Sequence, residues 1–207
     1  MRIVKDPEIR KNEILDAAEE LFTLKGFDGT STNDILERVG IARGTLYYHF
    51  KSKEDIMDAL IERINARVLS AAKEAASDKS VPVPERLLRT VAALKISEQN
   101  TTVMEHIHRP QNALMHQKIQ KTMLKSIPPI LTEIIRDGIK EGLLNTPFPY
   151  ECMEMVFTYL NTIFDSDMLE MSDLERSAKI KAFIFNAERL FGAREGSFAN
   201  VVAMFGE

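Results

Sequence analysis

The chain has 207 residues, 44% of them hydrophobic and 28% charged, and a net charge of −4. That composition excludes a disordered chain or a coiled-coil rod and fits one domain of good size or two small ones. The acidic balance argues against a protein that coats nucleic acid everywhere, but leaves room for a local basic patch. The single cysteine, Cys152, cannot close an intrachain disulfide. No apolar stretch approaches the length of a spanning helix or a signal h-region, so the expectation is a cytoplasmic protein with no membrane role. Glycine and proline are few, nine and eight. Apolar residues recur at three- and four-residue spacing nearly everywhere, without the alternation that half-buried strands need, which predicts an all-helical fold.

In chain order, Asp6-Pro7 reads as an N-cap followed by proline at the first helical position. Ile14, Leu15, Ala18, Leu21 and Phe22 then form one apolar stripe that ends at Gly26. Ser31 and Asp34 make a capping-box-like start for a short second helix, and Gly40 ends it in a left-handed conformation. A third helix, Arg43 to about Phe50, buries Leu46 and Phe50. A second Ser-x-x-Asp box, Ser52 to Asp55, opens a long fourth helix through about Ala76.

A helix, a glycine-containing turn and a second short helix make a helix-turn-helix, whose second member can enter the major groove. With Leu46 and Phe50 inward, the opposite face offers Arg43, Gly44, Thr45, Tyr47, Tyr48 and His49, and Lys53 lies just beyond. From Arg38 to Lys53 there are four Arg or Lys and no carboxylate. Arg43 suits a bidentate contact with guanine, Gly44 lets the backbone approach, and the hydroxyl groups of Thr45 and the tyrosines suit phosphates. Taken singly, the tyrosines and lysines also fit an ordinary solvated helix face. Their joint occurrence after a glycine turn points to DNA.

The segment GFDGTSTNDILERVGIARGTLYYHFKSKEDI, Gly26 to Ile56, resembles the DNA-binding head of the tetracycline-repressor (TetR) family of bacterial regulators. The resemblance is specific from Ile9 to about Leu60 and architectural beyond. It implies that Thr32 and Thr45 bind phosphate, that Asn33, Arg43 and Gly44 lie nearest the bases, that Tyr47, Tyr48 and His49 touch backbone or base edges, and that Lys53 anchors a phosphate. In that family a capping residue often precedes the recognition helix. Here Ala42 takes the place, which weakens the helix start by about 1 kcal/mol.

Ser77 to Pro84, SDKSVPVP, is a polar, proline-bearing break that ends the fourth helix. Residues 1–52 are thus read as the DNA-binding domain and 53–207 as a helical effector-binding and dimerisation domain, linked by a fourth helix over 53–76. Further helices are predicted from Glu85 to about Glu98, Gln111 to Lys125, Pro128 to Leu144, Tyr150 to Met168, Leu174 to Phe191, and near Phe198 to Phe205. Pro128-Pro129 reads as a helix start. Two apolar stripes, Met153, Phe157, Leu160 and Phe164, and Ile180, Ile184, Ala187 and Phe191, suit a four-helix bundle shared by two subunits, or packing within one. Gly138 to Glu151 resembles the turn that precedes the dimer-forming helices of the family.

Ten methionines, several in the middle helices, suit either core filling or an adaptable apolar cavity. Met104, His108, Met115, His116, Met153 and Phe157 are the candidates to line an effector site. His106, His108 and His116, with Glu105 and Cys152, lack metal-ligand spacing, so no metal and no cofactor is expected. No phosphate loop, nucleophile elbow or distinctive carboxylate pair suggests an enzyme. The sequence therefore predicts a homodimeric repressor that binds a palindromic double-stranded DNA operator and is released by a small, largely apolar effector. The alternative is a helical interaction module or helical enzyme without DNA binding. Arg43, Thr45 and Lys53 at the family's spacing favour the first.

Overall fold

The computed structural model describes residues 6–99, 109–163 and 171–202, and every regular element among them is helical. Helix α1 (Pro7–Lys25) starts as its sequence dictates. The Asp6 carboxylate accepts the Glu8 N–H at 2.8 Å, Pro7 occupies the first turn, and Gly26, at φ +77°, stops the helix. Helix α2 (Thr32–Val39) has a complete capping box. Ser31 Oγ accepts the Asp34 N–H at 3.1 Å, and the Asp34 carboxylate accepts the Ser31 N–H at 2.7 Å. Gly40 ends it in the left-handed region at φ +72°. Helix α3 (Arg43–His49) follows, with Leu46 and Phe50 buried as expected.

Helix α4 (Lys53–Ser77) departs slightly from its predicted start. Ser52 Oγ accepts the Asp55 N–H at 3.1 Å, but the Asp55 carboxylate accepts the N–H of Lys51, one residue earlier than a reciprocal box requires. After the break comes α5 (Val83–Gln99), and a 3-10 turn, Pro110–Asn112, leads into α6 (Ala113–Lys140). Helices α7 (Pro149–Ile163), α8 (Asp173–Leu190) and the short α9 (Ala199–Val202) complete the order. Ser172 and Glu175 form a capping box at the start of α8.

Helix α6 corrects one expectation. The sequence suggests two helices divided at Pro128-Pro129, whereas α6 runs through both prolines. Buried Met115, Ile119, Met123, Ile127 and Leu131 repeat every four residues across the pair, followed by Ile134 and Ile135. Each such side chain contributes about 1.5–3 kcal/mol when fully buried, against about 3 kcal/mol for a proline inside a helix. The stripe outweighs the break.

By its internal contacts the chain forms two compact units, one of residues 1–67 with 98–121, the other of 68–97 with 122–207. The grouping differs from a division at 52/53, because the first half of α4 packs with the head. In the first unit Arg63 of α4 spans Asp16 and Glu19 of α1, each at 2.7 Å, and Phe22 meets Phe27 edge-on at 5.3 Å.

In the second unit Arg86, only 2% exposed, pairs with Asp137 at 3.1 Å. Lys79 and Lys140 share the same carboxylate at 3.0 and 3.2 Å. Lys79 first, and Lys140 with it, hold the Asp137 carboxyl below the usual range. The stripe Ile180, Ile184, Ala187 and Phe191 is buried within the chain itself. Helix α8 thus packs inward with the side chains that the sequence offers either to a bundle between subunits or to packing within one. On α7, Met153 is likewise buried, Phe157 and Leu160 are half-buried, and Phe164 lies outside the described residues.

Candidate nucleic-acid interface

The turn from α2 to α3 rests on Gly40 and a main-chain bond from Ile41 N–H to the Leu36 carbonyl at 3.2 Å. Leu46, at 1% exposure, then fixes which way α3 faces. The consequence is an outward surface of Arg43, Gly44, Tyr47 and Tyr48, all exposed, with Thr45 and His49 half-covered. A Cβ added at Gly44 would meet nothing within 4 Å, so no neighbour in the chain requires a glycine there. The bare backbone is a property of the outer surface, as close approach to DNA requires.

Tyr47 joins the two helices of the motif. The side chains of Arg43 and then Thr32 favour its ionised form and hold the phenol below its ordinary value of 10. The Arg43 guanidinium lies 5.5 Å from the Tyr47 ring centroid. This brings Thr32, at the start of α2, to the first turn of α3, with exposed Asn33 beside it. Tyr48 is 76% exposed and meets His49 edge-on at 5.0 Å. Such a surface can contact phosphates through hydroxyls and read a base edge through one guanidinium.

The four cations counted between Arg38 and Lys53 are not equivalent. Arg38 pairs with Glu20 at 2.6 Å. Lys53 has partners within the head as well. Its ammonium donates to the carbonyls of Phe27 at 2.7 Å and Thr30 at 2.8 Å, and sits 4.2 Å from the centre of the Phe27 ring. In this structure it clamps the loop between α1 and α2, whose carbonyls face the start of α4. Lys51, next to the recognition helix, is the exposed lysine of that segment. Ala42 makes no side-chain cap bond, as its methyl group dictates.

The candidate effector residues fall in different parts of the chain. Met104 and His108 lie outside the described residues, as does His106. Met115 is fully buried and His116 half-buried in the first unit, while Met153 and Phe157 belong to the second. Two residues that sequence reasoning missed are Gln111 and Asn112. Asn112 Oδ1 accepts the Phe27 N–H at 2.8 Å across 85 positions of sequence, and no local pattern announces a bond of that span.

A helix-turn-helix with an uncommitted polar face on its second helix defines a DNA-binding protein. Comparison with known proteins agrees. Residues 14–60 match the family model of bacterial regulatory proteins, tetR family, and residues 95–185 match the tetracyclin repressor-like C-terminal domain. The fatty acid metabolism regulator protein of Bacillus subtilis (strain 168) is 30% identical over 139 residues, covering 63% of this chain and 71% of the relative. Among solved structures, SmeT, the repressor of the Stenotrophomonas maltophilia multidrug efflux pump SmeDEF, shares the fold. It has a TM-score of 0.63 at 22% identity and covers 94% of this chain and 95% of that one. RolR in complex with resorcinol gives the same TM-score at 15% identity, covering 97% and 94%. The chain belongs to the TetR family. It is a DNA-binding transcriptional regulator, not an enzyme. No helix among the described residues is long and apolar enough to cross a membrane.

Proposed function

We propose that this regulator is a ligand-responsive repressor, acting in the cytoplasm as a homodimer on a palindromic operator. The observation that carries the DNA half is the outward face of α3, where Arg43, Gly44, Tyr47 and Tyr48 are exposed. Arg43 is its base reader; Thr32, Asn33, Thr45, Tyr47, Tyr48 and His49 position the head on phosphates and base edges; Lys53 supports them from behind.

The dimer reading rests on the opposite faces of α7 and α8 from those the sequence suggests. Met155 is 60% exposed, Phe185 47% and Leu174 82%. Tyr159 of α7 stacks on Phe183 of α8 at 5.6 Å, so both helices present one apolar surface. An open groove of about 780 Å³, lined by Leu124, Met155, Tyr159 and Ile163 among others, adjoins it. A second copy covering this surface removes apolar area from water and sets two heads at a fixed separation. Such heads meet successive major grooves when about 34–36 Å apart, which demands a two-fold symmetric site.

Release by a small molecule is supported by the relatives, since RolR holds resorcinol and SmeT represses a drug efflux pump. The methionine-rich second domain suits a largely apolar effector. Selecting bound fragments from a random-sequence DNA pool, with sedimentation of the free protein, tests the proposal. The expected result is a dimer and an imperfect palindrome. A monomer that selects a single half-site overturns it.

A further inference from the structure

Five residues, Gly26 to Thr30, connect α1 to the N-cap of α2, and they are fastened from two sides. From α4, Lys53 holds the carbonyls of Phe27 and Thr30. From the lead-in to α6, Asn112 Oδ1 accepts the Phe27 N–H, and the Gln111 carbonyl accepts the Asp28 N–H at 3.2 Å. The contact is close: a Cβ on Gly26 would lie 2.0 Å from Cγ of Gln111. Phe27 is 3% exposed and Asn112 2%. Water cannot replace this acceptor, and a buried N–H without a partner is costly. Thr30, also buried, closes the loop by donating from its hydroxyl to the Gly26 carbonyl at 2.7 Å. The next residue is Ser31, whose capping box sets the start of α2 and thus Thr32 and Asn33.

We infer that Asn112 is a positioning residue for DNA recognition. It holds the α1–α2 loop in the geometry that aims the N-terminus of α2, and it makes the 3-10 turn that leads into α6 a working part of the DNA-binding head. The inference rests on the head binding DNA. Helix α6 runs from this joint to Lys140 without interruption. A shift of the 3-10 turn at its start therefore withdraws the acceptor on which Phe27 depends. Asn112 touches the loop and acts on the reading surface through it, so its loss weakens all DNA sequences alike and leaves base preference intact.

The test uses the full chain, hydrogen exchange resolved to the 22–31 region, and DNA selected from a random pool by the wild type. In Asn112→Ala, exchange at the Phe27 amide should accelerate about tenfold or more, and affinity for the selected DNA should fall about tenfold with an unchanged preference profile. Asn112→Asp keeps an acceptor in place and should recover both. Faster exchange with unchanged DNA affinity makes Asn112 merely structural and overturns the inference, as does unchanged exchange. Should Asn112→Ala fail to fold, the wild type decides, because coupling is reciprocal. Saturating DNA should slow exchange at residues 111–116, and no change there overturns the inference. A wild type that selects no DNA overturns it together with the DNA-binding reading. That outcome is told apart because the exchange arm in Asn112→Ala needs no DNA.

Discussion

The two helices of the helix-turn-helix are neighbours of similar length and opposite design. In α2 the cap and the ion-paired side chains are engaged within the protein. Ser31 and Asp34 cap each other, Lys25 pairs with Asp34 at 2.5 Å, and Arg38 pairs with Glu20. In α3 the cap position is Ala42, with no side-chain bond, and the large polar side chains lie on the surface. One helix is tied into the head, and the other turns its polar side chains outward. The difference teaches that a residue's type does not reveal its role until its local partners are counted. Lys53, expected to anchor a phosphate, is bonded to the α1–α2 loop; Gly44 has no neighbour in the chain and faces outward.

The sharpest way to break this distinction is to remove residues assigned to holding and ask whether base preference moves. Asp137→Ala strands Arg86 as a buried charge without its carboxylate, and should lower stability by about 3 kcal/mol while leaving DNA preference unaltered, as checked by denaturant unfolding and DNA selection. The same carboxyl carries a pH signature. Its folded pKa is depressed, chiefly by Lys79. The stability it supplies is present above an unfolded value of about 3.9 and is lost as pH falls through the lower folded value. Asp34 and Glu175 are shifted in the same direction, by Lys25 and by Ser31 for the first and by Ser172 for the second. Acid titration followed by circular dichroism should show unfolding setting in below about pH 4, more shallowly in the Asp137 variant.

Lys53→Ala is the next largest. Two charge-assisted bonds to the loop are lost, so the head should be less stable by about 2 kcal/mol. Its DNA binding should weaken on all sequences together, and thermal unfolding should separate this from loss of a phosphate contact, which leaves stability unchanged. Arg43→Ala should do the opposite. It should cost about 1.5 kcal/mol on the preferred site, flatten preference at one position per half-site, and leave the melting temperature in place. Equal preference profiles for this variant and the wild type would remove Arg43 from its role. The smallest change is a gain: Ala42→Ser supplies the missing cap and should add roughly 0.5–1 kcal/mol of stability, read by denaturant unfolding.

What the sequence makes legible is what local rules decide. Asp6-Pro7, the Ser31–Asp34 box, Gly40 and the Leu46–Phe50 spacing are contained within a few residues, and each stands in the structure where its chemistry puts it. The outward set Arg43 to His49 follows from the inward pair by helical geometry alone. What stays hidden depends on burial over distance. The prolines of α6 act as breakers in any local reading, and only the buried stripe on both sides overrides them. The stripe of α8 has the spacing of an interface between subunits and equally of a core, and only the packed chain shows that Ile184 and Phe191 are covered. Lys53 and Asn112 reach the same loop from 26 and 85 residues away.

The joint at Gly26 also bears on how such a protein diverges. Any side chain at position 26 must adopt φ +77° and displace Gln111, so substitution there should be disfavoured whatever operator the protein serves. Position 44 faces open space, and positions 43, 47 and 48 are exposed. If α3 reads the bases as proposed, a lineage should be able to change the letters it recognises by single substitutions there while inheriting this joint unchanged, and among its descendants the joint should outlast the specificity.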